Sequence, residues 1–573
     1  MFSPNAAQSR VLDIPELLDM IFGFLDESSN ASNASVCKRW SDIALDTLWR
    51  DLDDLYRLFR ILKPLKQAEE YPDSPYAFTN PPDAEDWQRL EKRYSRRVRR
   101  LTYQAEGRPR MCPTAFEDVA RTRTSLNILP NLNTLVWDAA PSLAVIFMQP
   151  TVKNFGLWLP LFTPPESSLP FFRDVVSRMP HLTTLDIRTV VPMSDMEDSM
   201  VFLLQSLPKL RKVVTPRYLV TTRIAETLQH LEDLGTIEFQ YASEQGCGDP
   251  VDTQVFRPTL KTGAFPSLFD LSLTCPVADC ISLMKQSCAP TNLTAFYVDS
   301  PLIESPAAVH DLLTVLVETC QLLETLGIIT LVSNDEPLQA LSDISSTERI
   351  SYSSLRPIQT FPNLTIFEVA HQFPLDLKLE DLEQLARSWP SLRKLVLNHE
   401  PVVAEQSSLT LKALIPFAQH CPELQELGLF INASTADLPS SYQTNPPQFK
   451  PFAKLRRLSL GVSLVADEGA VALFLSQICP LNVHLEYGVT WDMQGREETE
   501  LFQTIARRCA KWAKVAELLP LLTKMRMEER ERTRLLMAEV KDLRMRSGVL
   551  MDRAAVTGGL AVGPSTRDSC VML

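Results

Sequence analysis

The residues that could carry out chemistry are dispersed along this sequence. Its seven histidines stand singly, with no His-x-x-x-His pair, at His181, His230, His310, His371, His399, His420 and His484. Three neighbouring cysteines, Cys275, Cys280 and Cys288, lack the Cys-x-x-Cys unit that is typical of zinc ligands. The sequence also has no Gly-x-Ser-x-Gly elbow, phosphate-binding loop or dinucleotide fingerprint. We therefore predict no catalytic residue, no metal and no cofactor, and we expect that the protein is not an enzyme.

One short motif at the carboxyl end has a specific chemistry. The chain ends in Cys570, two aliphatic residues and Leu573, a prenylation pattern in which the final leucine favours a geranylgeranyl group. The stretch 557–569 predicts a flexible tail that would expose the cysteine. The alternative is a chance ending, and no polybasic run supplies the second signal that a single lipid needs for stable anchoring. Lipidation of Cys570, and with it a lipid-anchored membrane fraction, is a hypothesis.

The composition is that of a globular protein with more than one domain. Of the 573 residues, 45% are hydrophobic and 22% are charged. A net charge of −13 argues against nucleic acid as a general partner, since phosphate binding requires a basic surface. The 11 cysteines form no dense framework, and acidic residues stand near the N-terminus where a signal peptide would be apolar. We expect a soluble protein of the cytoplasm or nucleus.

The strongest structural signal lies in residues 12–52. Pro15 and Glu16 begin a helix well, because proline is tolerated at the first helical position and glutamate complements the helix dipole. Asp13 stands where an N-cap is expected. Six apolar residues follow at helical spacing, too many for one stripe: Leu17, Leu18, Ile21, Phe22, Phe24 and Leu25. A polar break and a second helix from about residue 34 to 50 complete a unit that is small enough to need a partner surface.

This pattern resembles an F-box. Pro15, the apolar run and the segments 36–40 and 48–50 stand at that family's spacing, although its usual leucines are missing from the Ser- and Asn-rich break at 28–35. The resemblance implies docking on the Skp-type adaptor of a cullin–RING (SCF-type) ubiquitin ligase. The missing leucines predict a smaller hydrophobic core at the break and a weaker affinity for the adaptor. The adaptor-binding positions that it implies are Pro15, Leu17, Leu18, Ile21, Phe22, Leu25, Val36, Cys37, Trp40 and Trp49. The alternative is an ordinary helical hairpin.

A second signal is a repeated phrase in the middle of the chain. A short apolar segment, proline, any residue, leucine and then alternating apolar residues recur at 129–137, 179–187, 207–215, 265–273, 361–369, 389–397 and 421–429. The phrase resembles a leucine-rich repeat, in which it forms a short strand and the preceding segment forms a helix. Such units bury their apolar faces only by stacking into a solenoid. An open, doubly wound α/β sheet has the same period and is the alternative.

Together these signals predict a chain of mixed α/β class with a helical F-box, a solenoid of short parallel strands and helices, and a C-terminal helical extension. The expected boundaries are F-box 10–52, helical linker 53–95, leucine-rich-repeat solenoid 96–490, helical segment 495–550 and flexible tail 551–573. We also expect an extra strand at 236–239 and inserted loops at 333–361 and 433–451. The charged middle of the last helix, 528–534, interrupts its apolar period, which favours a surface helix over a coiled coil.

The block between Arg93 and Arg100 is the only basic cluster in the sequence. It fits the solvated edge of the first solenoid strand, with Val98 and Leu101 pointing inward, better than a site for an anionic partner. Buried positions are also expected for Cys421 and Cys479, which precede prolines in two repeats or repeat-like segments.

The resemblance implies that the solenoid selects a target. Outward strand positions on its concave face would contact a protein, examples being Tyr297, Arg393, Lys394, Glu426, Arg456 and Arg457, with a solvated surface as the default for each. The chain would then join the Skp-type adaptor and cullin scaffold to an unidentified substrate, so that rate arises from proximity. Two alternatives stay open: a repeat scaffold that acts outside a ligase, and an enzyme hidden in the degenerate repeats.

Overall fold

In the computed structural model, the repeated phrase forms a short strand in which alternate side chains are buried. Met179, Leu182 and Leu185 are each 0% exposed in the copy at 179–187. The Leu182 amide donates to the Met179 carbonyl (3.3 Å) and closes the turn before the strand. Because successive residues of a strand point to opposite faces, Asp186 points away from the core. The leucines of the phrase therefore mark the inner face of each repeat.

The structure describes residues 14–67, 74–104, 109–160, 165–331, 349–403, 407–434, 450–491 and 500–558. The chain divides into two compact units, Met1–Asp376 and Leu377–Leu573. Among the described residues, no helix combines the length and the apolar composition that crossing a bilayer would require.

In the described part of the first unit, eleven strands form one parallel sheet and lie in the same order as in the chain. The apolar positions stay in register, with Leu135 opposite both Leu101 and Phe155. Sequential order without a reversal excludes the doubly wound alternative. The strands, of which β2 and β3 form a separate antiparallel hairpin, are β1 (Asp51–Leu52), β2 (Leu65–Gln67), β3 (Tyr76–Phe78), β4 (Arg100–Gln104), β5 (Thr134–Asp138), β6 (Asn154–Leu159), β7 (Thr184–Thr189), β8 (Lys212–Thr215), β9 (Thr236–Phe239), β10 (Asp270–Leu273), β11 (Ala295–Asp299), β12 (Thr325–Thr330) and β13 (Ile366–His371).

Helices cover one face of this sheet because each presents an apolar stripe to it. The helix that follows β11 buries Val309, Leu312, Leu313 and Leu316, all 0% exposed. The helices of the first unit are α1 (Pro15–Gly23), α2 (Glu27–Asn33), α3 (Lys38–Arg50), α4 (Leu55–Leu62), α5 (Ala84–Arg93), α6 (Pro113–Thr122), α7 (Pro141–Ala144), α8 (Pro165–Arg178), α9 (Glu197–Gln205), α10 (Thr222–Leu228), α11 (Val277–Met284), α12 (Pro306–Thr319) and α13 (Tyr352–Leu355).

The second unit repeats the design on a smaller scale. Its described residues contain β14, β15, β17 and β19 as parallel neighbours, and β16 pairs with β18. Their bounds are β14 (Lys394–Leu397), β15 (Glu426–Leu429), β16 (Asn432–Ala433), β17 (Arg457–Ser459), β18 (Leu464–Val465) and β19 (His484–Glu486). The helices are α14 (Leu379–Ser388), α15 (Leu414–His420), α16 (Glu468–Ile478) and α17 (Glu500–Gly558).

Several sequence-based expectations can be compared directly. The extra strand at 236–239 is confirmed as β9. Residues 332–348 and 435–449, which include most of the two expected insertions, lie outside the described residues. The sheet begins at Asp51 rather than near residue 96, because α3 continues directly into an edge strand. Burial holds the pKa of Cys421 and of Cys479 at about 12, which suits packing rather than reactivity.

Candidate functional site

The first three helices enclose a small core. Leu18 and Phe22 of α1 and Ala44 of α3 are at most 2% exposed. Trp40 packs edge-on against Phe22, with the ring centroids 5.5 Å apart. Pro15 is the first residue of α1, as expected, and the predicted N-cap, Asp13, lies outside the described residues.

The Ser- and Asn-rich stretch predicted as a break forms helix α2. Asp26 begins this helix by accepting a hydrogen bond from the Ser29 amide (2.7 Å). Hydrogen bonding from the Ser29 side chain, and secondarily from its amide, lowers the pKa of Asp26. Asn30 points inward and is 2% exposed. Its Nδ2 donates to the carbonyl oxygens of Phe22 (2.9 Å) and Leu25 (3.3 Å). A buried amide thus satisfies the C-terminal end of α1, where the sequence alone indicated only a weaker core.

The same arrangement leaves large apolar side chains on the outside. Phe24, directly after α1, is 91% exposed, and Val36, in the turn before α3, is 60% exposed. Other apolar residues here that are 39–59% exposed are Ile14, Met20, Ile21 and Leu25. We call these six residues the N-terminal apolar patch. A concentration of exposed apolar side chains is typical of an interaction surface.

A family comparison identifies this region. The F-box-like family matches residues 15–54, the segment that forms α1, α2, α3 and β1. The chain has an F-box-like domain joined to repeats that are similar to leucine-rich repeats.

Similarity to individual proteins is distant. No curated protein matches the chain significantly. Among solved structures, the Rad7 and Elc1 complex in yeast shares 12% identity at a TM-score of 0.33, covering 61% of this chain and 81% of the other. The leucine-rich repeat-containing protein LegL7 from Legionella pneumophila shares 12% identity at a TM-score of 0.27, covering 52% and 89%. At this level neither structure informs on what this chain binds.

The F-box-like domain separates the ten predicted adaptor-binding residues into surface and core. Exposed residues are Pro15, Ile21, Leu25, Val36 and Cys37, and half-buried residues are Leu17 and Trp40. Leu18, Phe22 and Trp49 are buried within this chain, where they pack against its own residues. Ile14, Met20 and Phe24, which were not among the ten predicted residues, are also exposed. The sequence feature that could have indicated their exposure is that this segment has more apolar residues than one helix face can bury.

Trp49 joins the F-box-like domain to the repeats. The rings of Trp49 and Tyr94 lie 4.7 Å apart, and the Arg57 guanidinium lies 4.6 Å from the centre of the Trp49 ring. Directly after Arg50, β1 pairs in parallel with β4. The F-box-like domain is therefore continuous with the first strands of the sheet, with no loop between them.

Arg97, in the middle of the basic block, also stabilises the junction between the F-box-like domain and the repeats. Its guanidinium donates to the Asp42 carboxylate (3.0 Å) and to the Asp42 carbonyl (2.8 Å), and it also pairs with Asp46. Val98 and Leu101 are each 0% exposed, so their predicted inward orientation is confirmed. This arginine binds α3 and supports a structural rather than an anion-binding role.

The six predicted target-contacting residues fall in both units. In the first unit, Tyr297 on β11 donates from its hydroxyl to Glu368 Oε1 on β13 (3.0 Å). Gly327, on the strand between them, makes this reach feasible, because a Cβ there would collide with the Tyr297 ring. Burial raises the pKa of Tyr297. The tyrosine is thus a fixed part of the outward face.

In the second unit, outward charges form a ladder across the four strands β14, β15, β17 and β19. Glu426 lies between Lys394 (3.7 Å) and Arg457 (3.7 Å), and Arg457 Nε lies 3.1 Å from Glu486. Cations and carboxylates are equal in number in this ladder. Two further predicted residues, Arg393 and Arg456, stand one position before their strands and are exposed. Of the five predicted residues in this unit, Lys394, Glu426 and Arg457 therefore belong to a ladder with no net charge. Arg393 and Arg456 lie outside that ladder on the exposed surface.

Two charged clusters of the first unit escaped sequence reasoning. Burial, together with the charge of Glu238, raises the pKa of Asp270 to about 6. Further along the sheet, Asp299 is 0% exposed and Arg217 Nε lies 2.5 Å from its Oδ2. Nothing in the local sequence pairs these residues, because they lie on or just after different strands. Stacking of successive repeats brings them together.

Proposed function

We propose that this protein is a substrate-recognition adaptor of a cullin–RING ubiquitin ligase. In this proposal the N-terminal apolar patch docks on a Skp-type adaptor that is bound to the cullin scaffold, and the repeats bind a protein target. The observation that carries the proposal is the exposure of six large apolar side chains on a domain of the F-box-like family. The proposed locations are the cytoplasm and the nucleus.

The chain would act by positioning rather than by bond chemistry. A ligase transfers ubiquitin efficiently when the target is held close to the loaded enzyme, which raises the effective concentration of the reacting groups. The contacts of Trp49 and Arg97 would keep the docking helices in a fixed orientation toward the first repeats. This coupling supports a function in which distance and direction both matter.

Adaptor co-purification tests the proposal. We expect Phe24→Glu/Val36→Glu to remove adaptor binding, because a charge buried without a partner in an interface costs at least about 3 kcal/mol, or ~100-fold in Kd. The fold should persist, since both side chains already face water. The measurement is recovery of a Skp-type adaptor with the tagged full-length chain.

The matched control is Leu126→Glu, which changes another leucine that is 74% exposed but lies beyond the F-box-like domain. It should recover as much adaptor as the wild type. Equal recovery by the wild type and Phe24→Glu/Val36→Glu, or none with the wild type, contradicts the proposal.

We also propose that Cys570 carries a geranylgeranyl group. The proposal rests on the C-terminal motif, and the residue lies outside the described part of the structure. Intact-mass measurement of the protein from a eukaryotic cell should show the lipid, and Cys570→Ser should lose it together with any membrane-bound fraction. An unmodified wild-type mass in such a cell would end this proposal.

A further inference from the structure

The two halves of α17 differ in their surroundings. In the first half, Trp512 and Val515 are each 0% exposed. Trp512 Nε1 donates to the Ser463 carbonyl (2.9 Å), and Lys511 Nζ donates to the Val465 carbonyl (2.9 Å). This half is an integral part of the second unit.

The second half has apolar side chains without an apolar environment. The side chains of this half are described from Lys524 to Met551, and none of these side chains is buried. Leu536, Val540 and Leu543 are 61%, 46% and 55% exposed. A helix that packs on its own domain buries one apolar face, and no described side chain of this half is buried in that way.

The exposed residues follow a heptad register. Leu536, Leu543 and Leu550 recur every seven residues, and three positions before them stand Thr533, Val540 and Ser547. In coiled-coil notation the leucines occupy d and the second set occupies a. Leucine at d with β-branched residues at a favours two parallel strands. The charged segment 528–532 interrupts the pattern only upstream of this register.

The charges beside the seam fit a second identical helix. Glu539 occupies a g position and Arg544 the e position of the next heptad. In a parallel pair, g of one helix faces the following e of the other, so two copies would form this ion pair twice. Within one helix, Asp542 pairs with Arg546 (2.9 Å), which stabilises the helix before association.

We propose that a second copy of this chain occupies this seam and forms a parallel two-stranded coiled coil over residues 533–551. The seam is short, and one of its a positions is serine, so the dimer should be reversible and depend on protein concentration. A membrane surface fits less well, because Met545 (60% exposed) and Val549 (61% exposed) lie on the opposite side of the helix. The dimer is independent of the ligase function proposed above.

Sedimentation velocity of the full-length chain over a concentration series tests the proposal. The wild type should shift from monomer to dimer as concentration rises, and Leu543→Glu should remain monomeric. The matched control Met545→Glu places the same charge on the opposite side and should dimerise like the wild type. Glu539→Arg should weaken the dimer, and adding Arg544→Glu to it should restore the dimer. All of these positions face water, so the variants should fold.

Four results would overturn the proposal. One is a wild type that stays monomeric at every concentration, and another is a dimer that survives Leu543→Glu. The third is flotation of the wild type with anionic phosphatidylserine vesicles that Leu543→Glu abolishes while both proteins stay monomeric. Oxidation of Leu550→Cys should add a disulfide-linked dimer absent from the wild type, and its absence rejects the parallel arrangement. Phe24→Glu/Val36→Glu should still dimerise, which separates this test from that of the ligase function.

Discussion

Arg217→Ala is expected to lower the free energy of unfolding of the first unit by about 3–5 kcal/mol at pH 8, because it leaves a buried charge without its partner. Asp299 is 0% exposed and Arg217 Nε lies 2.5 Å from it. The guanidinium also lies 4.8 Å from the centre of the Tyr218 ring and 5.3 Å from that of Tyr241. Alanine therefore removes both the counter-charge and the group that fills the space between the rings.

The loss should shrink as the pH falls. Burial already raises the pKa of Asp299, and Arg217 opposes that rise, so the variant should have a still higher pKa at this carboxyl group. The unfolded value is about 3.9. The folded pKa of Asp299 lies above this unfolded value. Its contribution to the stability of the variant is therefore fully present at low pH, where the carboxyl group is protonated, and is lost as the pH rises through the folded pKa.

Urea unfolding of the wild type and Arg217→Ala at pH 5 and pH 8 measures both effects. The control is Arg211→Ala, which removes an exposed arginine 3.8 Å from Asp233 and should change stability by less than about 1 kcal/mol at either pH. A deficit of the same size at both pH values would contradict the role assigned to Asp299.

The second large effect is expected from Asn30→Asp, which should unfold the F-box-like domain locally and abolish adaptor binding. The new carboxylate would face the carbonyl oxygens of Phe22 and Leu25 at a site that is 2% exposed in the native protein. An uncompensated buried charge costs about 3–5 kcal/mol. The small core around Leu18 offers little with which to offset that cost.

Hydrogen exchange in α1, together with adaptor co-purification, measures the outcome. Asn33 supplies the control, because it lies in the same helix and, like Asn30, is followed by Ala-Ser, but is only half-buried. Asn33→Asp should keep the protection of α1 and the adaptor. Protection of α1 that is unchanged in Asn30→Asp would show that the buried amide is dispensable.

The sequence could predict what depends on local pattern. Alternating apolar residues after Pro-x-Leu predicted strands such as β5 and β7, because strand burial has a period of two. The double-length interval between the phrases at 207–215 and 265–273 predicted the extra strand β9. It could not predict Asn30, whose partners are carbonyl groups left open at the end of another helix. Nor could it predict the Arg217–Asp299 pair, which forms only when repeats stack. The exposure of Leu543 escaped it, because that depends on how far along α17 the contacts with the repeats of the second unit extend.

The continuity of α3 with β1 has a consequence for truncation experiments. Removing the F-box-like domain through residue 52 would also remove the strand that pairs with β4. The backbone groups of β4 at Arg100 and Leu101 would then join an open sheet edge, which is a template for intermolecular strand pairing and aggregation. Terminal repeats need such a cap to remain soluble. A deletion of this kind would confound loss of docking with self-association, whereas point changes in the apolar patch leave the edge covered.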